Sequence, residues 1–302
     1  MGRLTAIVLG SAAGGGYPQW NCRCPVCRLA WEGDRRVRAR TQTSLAVSGD
    51  AKSWTLLNAA PDLRAQIASV RALQPSGGTR ASPIAAVVLT GAEIDQTAGL
   101  LSLRERQAFG LFATAETLAF VADNPMFDAL APDVVERRPV ALDEPFVLPG
   151  DIEATLFTVP GKLPLYREGD DPVTDAETSA NVGVEVRFGG ARLAFVPGCA
   201  SLSPAVKARL GDSNVILFDA TLFTDDEMIR TGTGQKTGRR MGHMPIEGAG
   251  GSLAALADVA ARRRIYIHIN NTNPILVEGS PERRRVEAAG WEVAWDGMEI
   301  VV

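Results

Sequence analysis

Leu89-Thr90-Gly91-Ala92-Glu93-Ile94-Asp95-Gln96-Thr97-Ala98-Gly99-Leu100 is the stretch on which the fold reading turns. It is entered from a continuous apolar run, 85–90, which predicts a strand buried on both faces. The spacing then predicts a loop followed by a helix within 91–105. A buried strand that ends where a helix begins is where α/β folds place their ligands.

Further strands are predicted outward from this point at 4–9, 44–47, 54–58, 111–113, 146–148, 152–159, 182–188, 192–196, 215–219 and 265–269. Helices are predicted after Pro61-Asp62, where Leu63, Ile67 and Val70 recur at helical spacing, and over 116–123 and 248–262. Residues 291–294 and 298–302 read as a closing hairpin. No internal repeat, low-complexity tract or long linker divides the chain. The reading is one α/β domain spanning 1–302, with helices covering two sheets.

Cys22-Arg23-Cys24-Pro25-Val26-Cys27 holds three of the four cysteines. Three thiolates this close can converge on one Zn²⁺, which prefers sulfur and a tetrahedral shell. Disulfides between such near neighbours are strained, and an odd count leaves one thiol over. The fourth ligand must then come from far along the chain.

Charged residues make up 22% of the 302 and the net charge is −4, so nothing points to a nucleic-acid surface. No run of apolar residues is long enough for a membrane span, and no secretory signal is evident at Met1-Gly2-Arg3-Leu4. Clustered thiols fit a reducing cytoplasm.

The 89–100 segment resembles the metallo-β-lactamase superfamily motif, a threonine followed by His-x-His-x-Asp-His and a later glycine. Aligned on Thr90, Asp95 and Gly99, the histidine positions fall on Gly91, Glu93 and Gln96. Other landmarks follow in order. They are Asn58 to Asp62, Thr158 to Lys162 with Lys162 in place of a histidine, Phe195 to Cys199, and Ile267-His268. The resemblance implies a four-layer αββα sandwich. The superfamily's two-zinc sites draw on more histidines than this chain has, since only His243 and His268 are present. The expected centre is mononuclear, built on Asp95 and His268 with help from Glu93 or Gln96. One histidine and one carboxylate with open positions approach the set used by non-haem Fe(II) oxygenases. Phe218 to Thr221 and Gly242-His243-Met244 resemble a carboxylate–histidine pair of tRNase Z-like hydrolases, which makes Asp219 and His243 a candidate acid–base couple. Lys162 is a candidate partner for a substrate carboxylate.

Four strings then resemble one family within that superfamily: Gly14 to Cys24, Gly99 to Glu105, Met241 to Ile246 and His268 to Pro274. They are similar to the coenzyme PQQ synthesis protein B family of pyrroloquinoline quinone (PQQ) biosynthesis. The resemblance implies a structural zinc on Cys22, Cys24 and Cys27. The fourth ligand is left among His243, His268, Asn271 and water, Asn271 standing where related phosphodiesterases have a histidine. It also implies an iron-dependent hydroxylation of a Glu-Tyr-type precursor, other PQQ biosynthesis proteins as partners, and Asn270 and Asn273 as polar contacts to the substrate. Carrying the cofactor or its precursor toward the periplasm, or a residual hydrolysis, are the competing roles.

Overall fold

The computed structural model describes residues 2–169 and 172–302; Met1, Asp170 and Asp171 of the expected 1–302 domain lie outside the described residues. The strands are β1 (Thr5–Gly10), β2 (Ser44–Ser48), β3 (Trp54–Leu57), β4 (Ile84–Val88), β5 (Phe109–Ala113), β6 (Val135–Pro139) and β7 (Pro145–Leu148). They continue with β8 (Ile152–Thr158), β9 (Val182–Phe188), β10 (Ala191–Val196), β11 (Val215–Asp219), β12 (Arg263–Ile267), β13 (Trp291–Val293) and β14 (Glu299–Val301). The helices are α1 (Pro25–Trp31), α2 (Leu63–Ser69), α3 (Ile94–Thr97), α4 (Ala115–Ala122), α5 (Pro204–Gly211), α6 (Glu227–Arg230), α7 (Ser252–Ala255) and α8 (Pro281–Ala288).

Two seven-stranded sheets form, in the orders β14-β1-β2-β3-β4-β5-β6 and β13-β12-β11-β10-β9-β8-β7. Period-two alternation assigns each side chain to a layer. In β1, Ala6 and Val8 face the other sheet, while Ile7 and Leu9 face outward. In β11, Val215 and Leu217 face inward, and Ile216 and Phe218 face out. The outer face of the first sheet is covered by Leu63 of α2 and by Leu118 and Val121 of α4. The second is covered by Val26 of α1, Val206 and Leu210 of α5, and Val286 of α8. This is the expected four-layer αββα sandwich.

Strands β3 to β6 run parallel, as do β10 to β13. Asp95 follows the C-terminal end of β4, Asp219 closes β11, and His268 follows β12. Those ends meet at one edge of the sandwich, where single bridges join Ala12 to Ile269 and Gly91 to Asn181.

Two expectations are corrected. The final strands are not a hairpin. β13 joins β12 in parallel, with Arg264 opposite Trp291, and β14 joins β1 antiparallel, with Thr5 opposite Val301. The link between them crosses from one sheet to the other. There Asp296 accepts hydrogen bonds from Thr41 N at 2.6 Å and Ser11 Oγ at 2.8 Å. The helix expected over 248–262 shrinks to α7: Gly248 (φ 98°) and Gly250 (φ 69°) take left-handed backbone before it, and the chain leaves helical geometry at Leu256 (φ −106°, ψ 13°).

Candidate active site and metal centre

Asp95, Asp219, His243 and His268, far apart in sequence, come together. Asp95 Oδ2 lies 3.0 Å from His268 Nε2, and His243 Nδ1 lies 2.7 Å from Asp219 Oδ2. The two imidazoles stack at 5.2 Å between centroids. Thr221 ties them together. Its Oγ1 lies 2.7 Å from Asp219 Oδ1, 2.9 Å from His268 Nδ1 and 3.0 Å from His243 Nδ1. A hydroxyl has one proton and two lone pairs. The shortest contact takes the Thr221 proton to Asp219 Oδ1, so His268 Nδ1 donates to Thr221, while His243 Nδ1 donates to Asp219 Oδ2, its nearer acceptor. This pattern puts a proton on each Nδ1 and makes Nε2 the unprotonated nitrogen of each neutral ring.

The lone pair of His268 Nε2 then faces the Asp95 carboxylate. That arrangement is repulsive unless a cation lies between them, either a proton or a metal ion. Burial opposes charge on both groups, yet their contact wins. Asp95 is held below the usual carboxylate range and His268 above the usual imidazole value. Nitrogen and oxygen donors at this spacing suit a divalent ion. Asp219, His243 and His268 each place a donor atom within 4.8 Å of the others. His268 itself has φ 58°, uncommon for a residue with a side chain, so its ring is aimed by an unusual backbone. Asn58 fixes the neighbouring strand end: it accepts from Thr90 N at 2.9 Å and donates to Thr90 Oγ1 at 2.8 Å. The cleft holds about 110 Å³, with Asp95, Lys162, Asn181, His243 and His268 in its walls.

A second donor cluster lies apart from this cleft. The Sγ atoms of Cys22, Cys24 and Cys27 are within 4.8 Å of one another. Cys24 caps α1, its sulfur accepting from Cys27 N at 3.4 Å. The hydrogen bond between Cys24 and Cys27 pushes the Cys24 thiol up and the Cys27 thiol down. Asn271 covers the triad, with Nδ2 at 3.2 Å from both Cys22 and Cys27 sulfurs. A half-turn of that amide aims an oxygen at the same sulfurs. His243 and His268 are committed to the other cluster, so neither is the fourth ligand here. A polar groove of about 450 Å³ runs past Cys22, Cys24 and Asn271.

Residues 53–269 match the beta-lactamase superfamily domain model. Coenzyme PQQ synthesis protein B of Methylobacterium sp. (strain 4-46) is 55% identical over 299 residues, which covers 99% of this chain and 100% of that relative. Zn(2+)-bound PqqB from Methylobacterium extorquens superposes with a TM-score of 0.97 at 53% identity, over 99% of this chain and 100% of that one. The chain belongs to the coenzyme PQQ synthesis protein B family. It therefore has the metallo-β-lactamase fold. A diphosphatase of the PhnP family, at 21% identity and a TM-score of 0.67, shares that fold.

Within this family member several expected roles are corrected by geometry. Gln96 is no spare ligand: its Oε1 accepts from Glu93 N at 3.0 Å and its Nε2 donates to Thr90 at 3.2 Å. A Cβ at Gly91 would lie 2.6 Å from that same Oε1, so Gln96 fills the space a side chain at 91 would need. Glu93 is turned to Lys162 Nζ at 2.7 Å and Leu165 N at 3.1 Å. Asn273 is fully buried, donating to Ala220 O at 2.9 Å and accepting from Ile275 N at 3.0 Å. It caps a turn and cannot contact a substrate. Asn270 donates to Thr272 Oγ1 at 2.6 Å and is absent from the cleft wall. Cys199 is buried, its thiol donating to Ser201 O at 3.2 Å and pushed up by burial. The sequence assigns Thr221 no role, although it closes the Asp219-Ala220-Thr221 string. Its chemistry emerges only when two distant histidines meet it.

Proposed function

We propose that this protein acts in PQQ biosynthesis as an iron-dependent hydroxylase of the tyrosine ring in a small, peptide-derived Glu-Tyr precursor. The observation that carries this reading is the Asp95–His268 pair at 3.0 Å, with the His268 tautomer fixed and Nε2 turned to the carboxylate. Asp95 and His268 would hold the ion, with Asp219 and His243 within reach. Fe(II) with open positions supplies the one-electron and O₂ chemistry that ring hydroxylation needs. The chain's own residues would do the rest. His243, anchored on Asp219, keeps Nε2 free to take or give a proton at the ring hydroxyl. Lys162 places positive charge in the cleft wall for a substrate carboxylate. Two histidines leave too few nitrogen donors for a two-zinc hydrolase.

We assign zinc to Cys22, Cys24 and Cys27, with Asn271 or water in the fourth position, on the softness of three thiolates. We place the protein in the cytoplasm beside the other PQQ biosynthesis proteins. Free thiols fit a reducing compartment. No described helix is long and apolar enough to cross a membrane.

The test is anaerobic loading with Fe(II), then O₂, a Glu-Tyr peptide and ascorbate, which supplies the two electrons that reduce the second oxygen atom to water. A product one oxygen atom heavier is expected, absent with Asp95→Ala, which should lose iron but keep the cysteine-bound zinc. An unchanged peptide despite bound iron would refute the hydroxylase. One observation favours a carrier as the second reading: Gly91 and the engaged Gln96 remove two superfamily ligand positions. A carrier would bind precursor or PQQ with zinc alone and turn nothing over.

A further inference from the structure

At the mouth of the cleft five charged side chains meet. Lys162, from the turn after β8, reaches Glu93 and Glu168, each at 2.7 Å. Lys236 and Arg240, from the stretch between α6 and His243, approach the other Glu168 oxygen at 3.9 Å and 3.5 Å. Three cations thus surround one carboxylate whose side chain is only 7% exposed.

Glu168 is held here by charge more than by hydrogen bonds. Its buried Oε1 has the 2.7 Å ion pair with Lys162 and no further hydrogen-bond partner. Arg240 offers one nitrogen at the limit of a hydrogen bond. A well-made pair in the same molecule, Arg263 with Glu292, is bidentate at 2.7 and 2.8 Å. Among the described residues, the cluster without Glu168 would hold three positive charges against Glu93. Lys162 is shared between the cleft and a neighbouring cavity of about 300 Å³ that Glu168 also lines. A ligand anchored here would therefore extend toward Asp95 and His268.

We propose that Lys162, Lys236 and Arg240 form a carboxylate-binding subsite at the mouth of the cleft. Glu168 is its built-in occupant, displaced by a carboxylate of the ligand. The subsite deepens the hydroxylase reading by giving the precursor's carboxylates an anchor, and it rests on that reading only for the ligand's identity.

The test uses the full chain, passed over a chelating resin so that no cleft metal binds the probe, and calorimetric titration with glutarate. Glu168→Gln should bind glutarate at least tenfold tighter than the unaltered protein. Adding Arg240→Met or Lys162→Met to that variant should remove the gain. An unchanged affinity in Glu168→Gln, an equal gain for chloride, or a gain that survives Arg240→Met would each overturn the subsite. Should Lys162→Met fail to fold, the half-exposed Arg240 decides the matter. Glutarate has no ring, so this outcome is separate from hydroxylation. If it follows the expected pattern while the iron-loaded protein leaves Glu-Tyr unoxidised, the hydroxylase reading falls and the subsite stands.

Discussion

A single hydroxyl proton organises the centre. Thr221 Oγ1 touches Asp219, both histidines and the His268 carbonyl, and without it His268 Nδ1 loses its acceptor while His243 Nδ1 keeps Asp219. Thr221→Val should weaken metal binding in the cleft by about 10–100-fold, the usual cost of losing a ligand's orienting partner. Nitrogen NMR should show mixed tautomers for His268, and Thr221→Ser should restore both properties. Unchanged tautomers in the valine variant would refute the role. Glu227 gives a pH prediction. It is buried, bonded to Phe223 N at 2.7 Å and Thr272 Oγ1 at 2.5 Å, and burial pushes its carboxyl up to about 7. The native state then keeps a proton that the unfolded chain releases near its ordinary value of about 4.3. Stability should fall as pH rises through that window. Glu227→Gln should shrink the difference between about pH 5 and pH 8 by on the order of 2 kcal/mol. Urea melts at both pH values would measure it, and an unaltered slope would refute it. The sequence exposed Asp95, Asp219, His243 and His268 through their landmark strings. It could not expose the commitments of Gln96, Asn270 and Asn273, because an amide's partners are set by neighbours distant in sequence.

Helix α1 exists as an element partly because of its cysteines. Cys24 caps it, Val26 and Cys27 make its buried face, and Asn271, more than 240 residues along the chain, bonds the sulfurs of Cys22 and Cys27. Cys24→Ser should abolish zinc binding and lower the melting temperature by several degrees, since metal affinity becomes folding free energy. A chelator should bring the unaltered protein to the same temperature and leave the variant unmoved. Full zinc content in the variant would sink the assignment. Most strands were legible because their apolar runs are buried on both faces. The edge strand β6, Val-Glu-Arg-Arg-Pro, was not: its charges suit an exposed sheet edge and erase the alternation. Helices α5 and α8 are not predicted from the apolar pattern, although each opens on Ser-Pro with the serine capping. Their few buried residues leave little periodicity to read. The supposed closing hairpin failed for a different reason. Two short strands separated by a tight link look alike whether they pair with each other or with separate sheets.

At the scale of the molecule, the two sheets share one interior layer. Leu4, Leu45 and Val88 from the first interlock with Val184, Leu217 and Ile265 from the second. Neither sheet can keep its inner face dry alone, so unfolding should be a single transition. Leu217→Ala should cost about 2–5 kcal/mol, the range for buried leucine truncations, and both sheets should melt together. Two resolved melting steps would count against a single unit. The register of β14 on β1 has a consequence for connectivity. Thr5 stands directly across from Val301, so the two ends of the chain lie side by side in neighbouring strands. The path of the backbone is nearly a closed ring, and its opening can be moved. A circular permutant that joins Val302 to Gly2 through a few glycines, and opens the exposed turn at Gly77-Gly78, should fold and retain the cysteine-bound zinc. Circular dichroism and metal analysis would check it, and a permutant that stays unfolded would mean the two ends do not meet as this register requires.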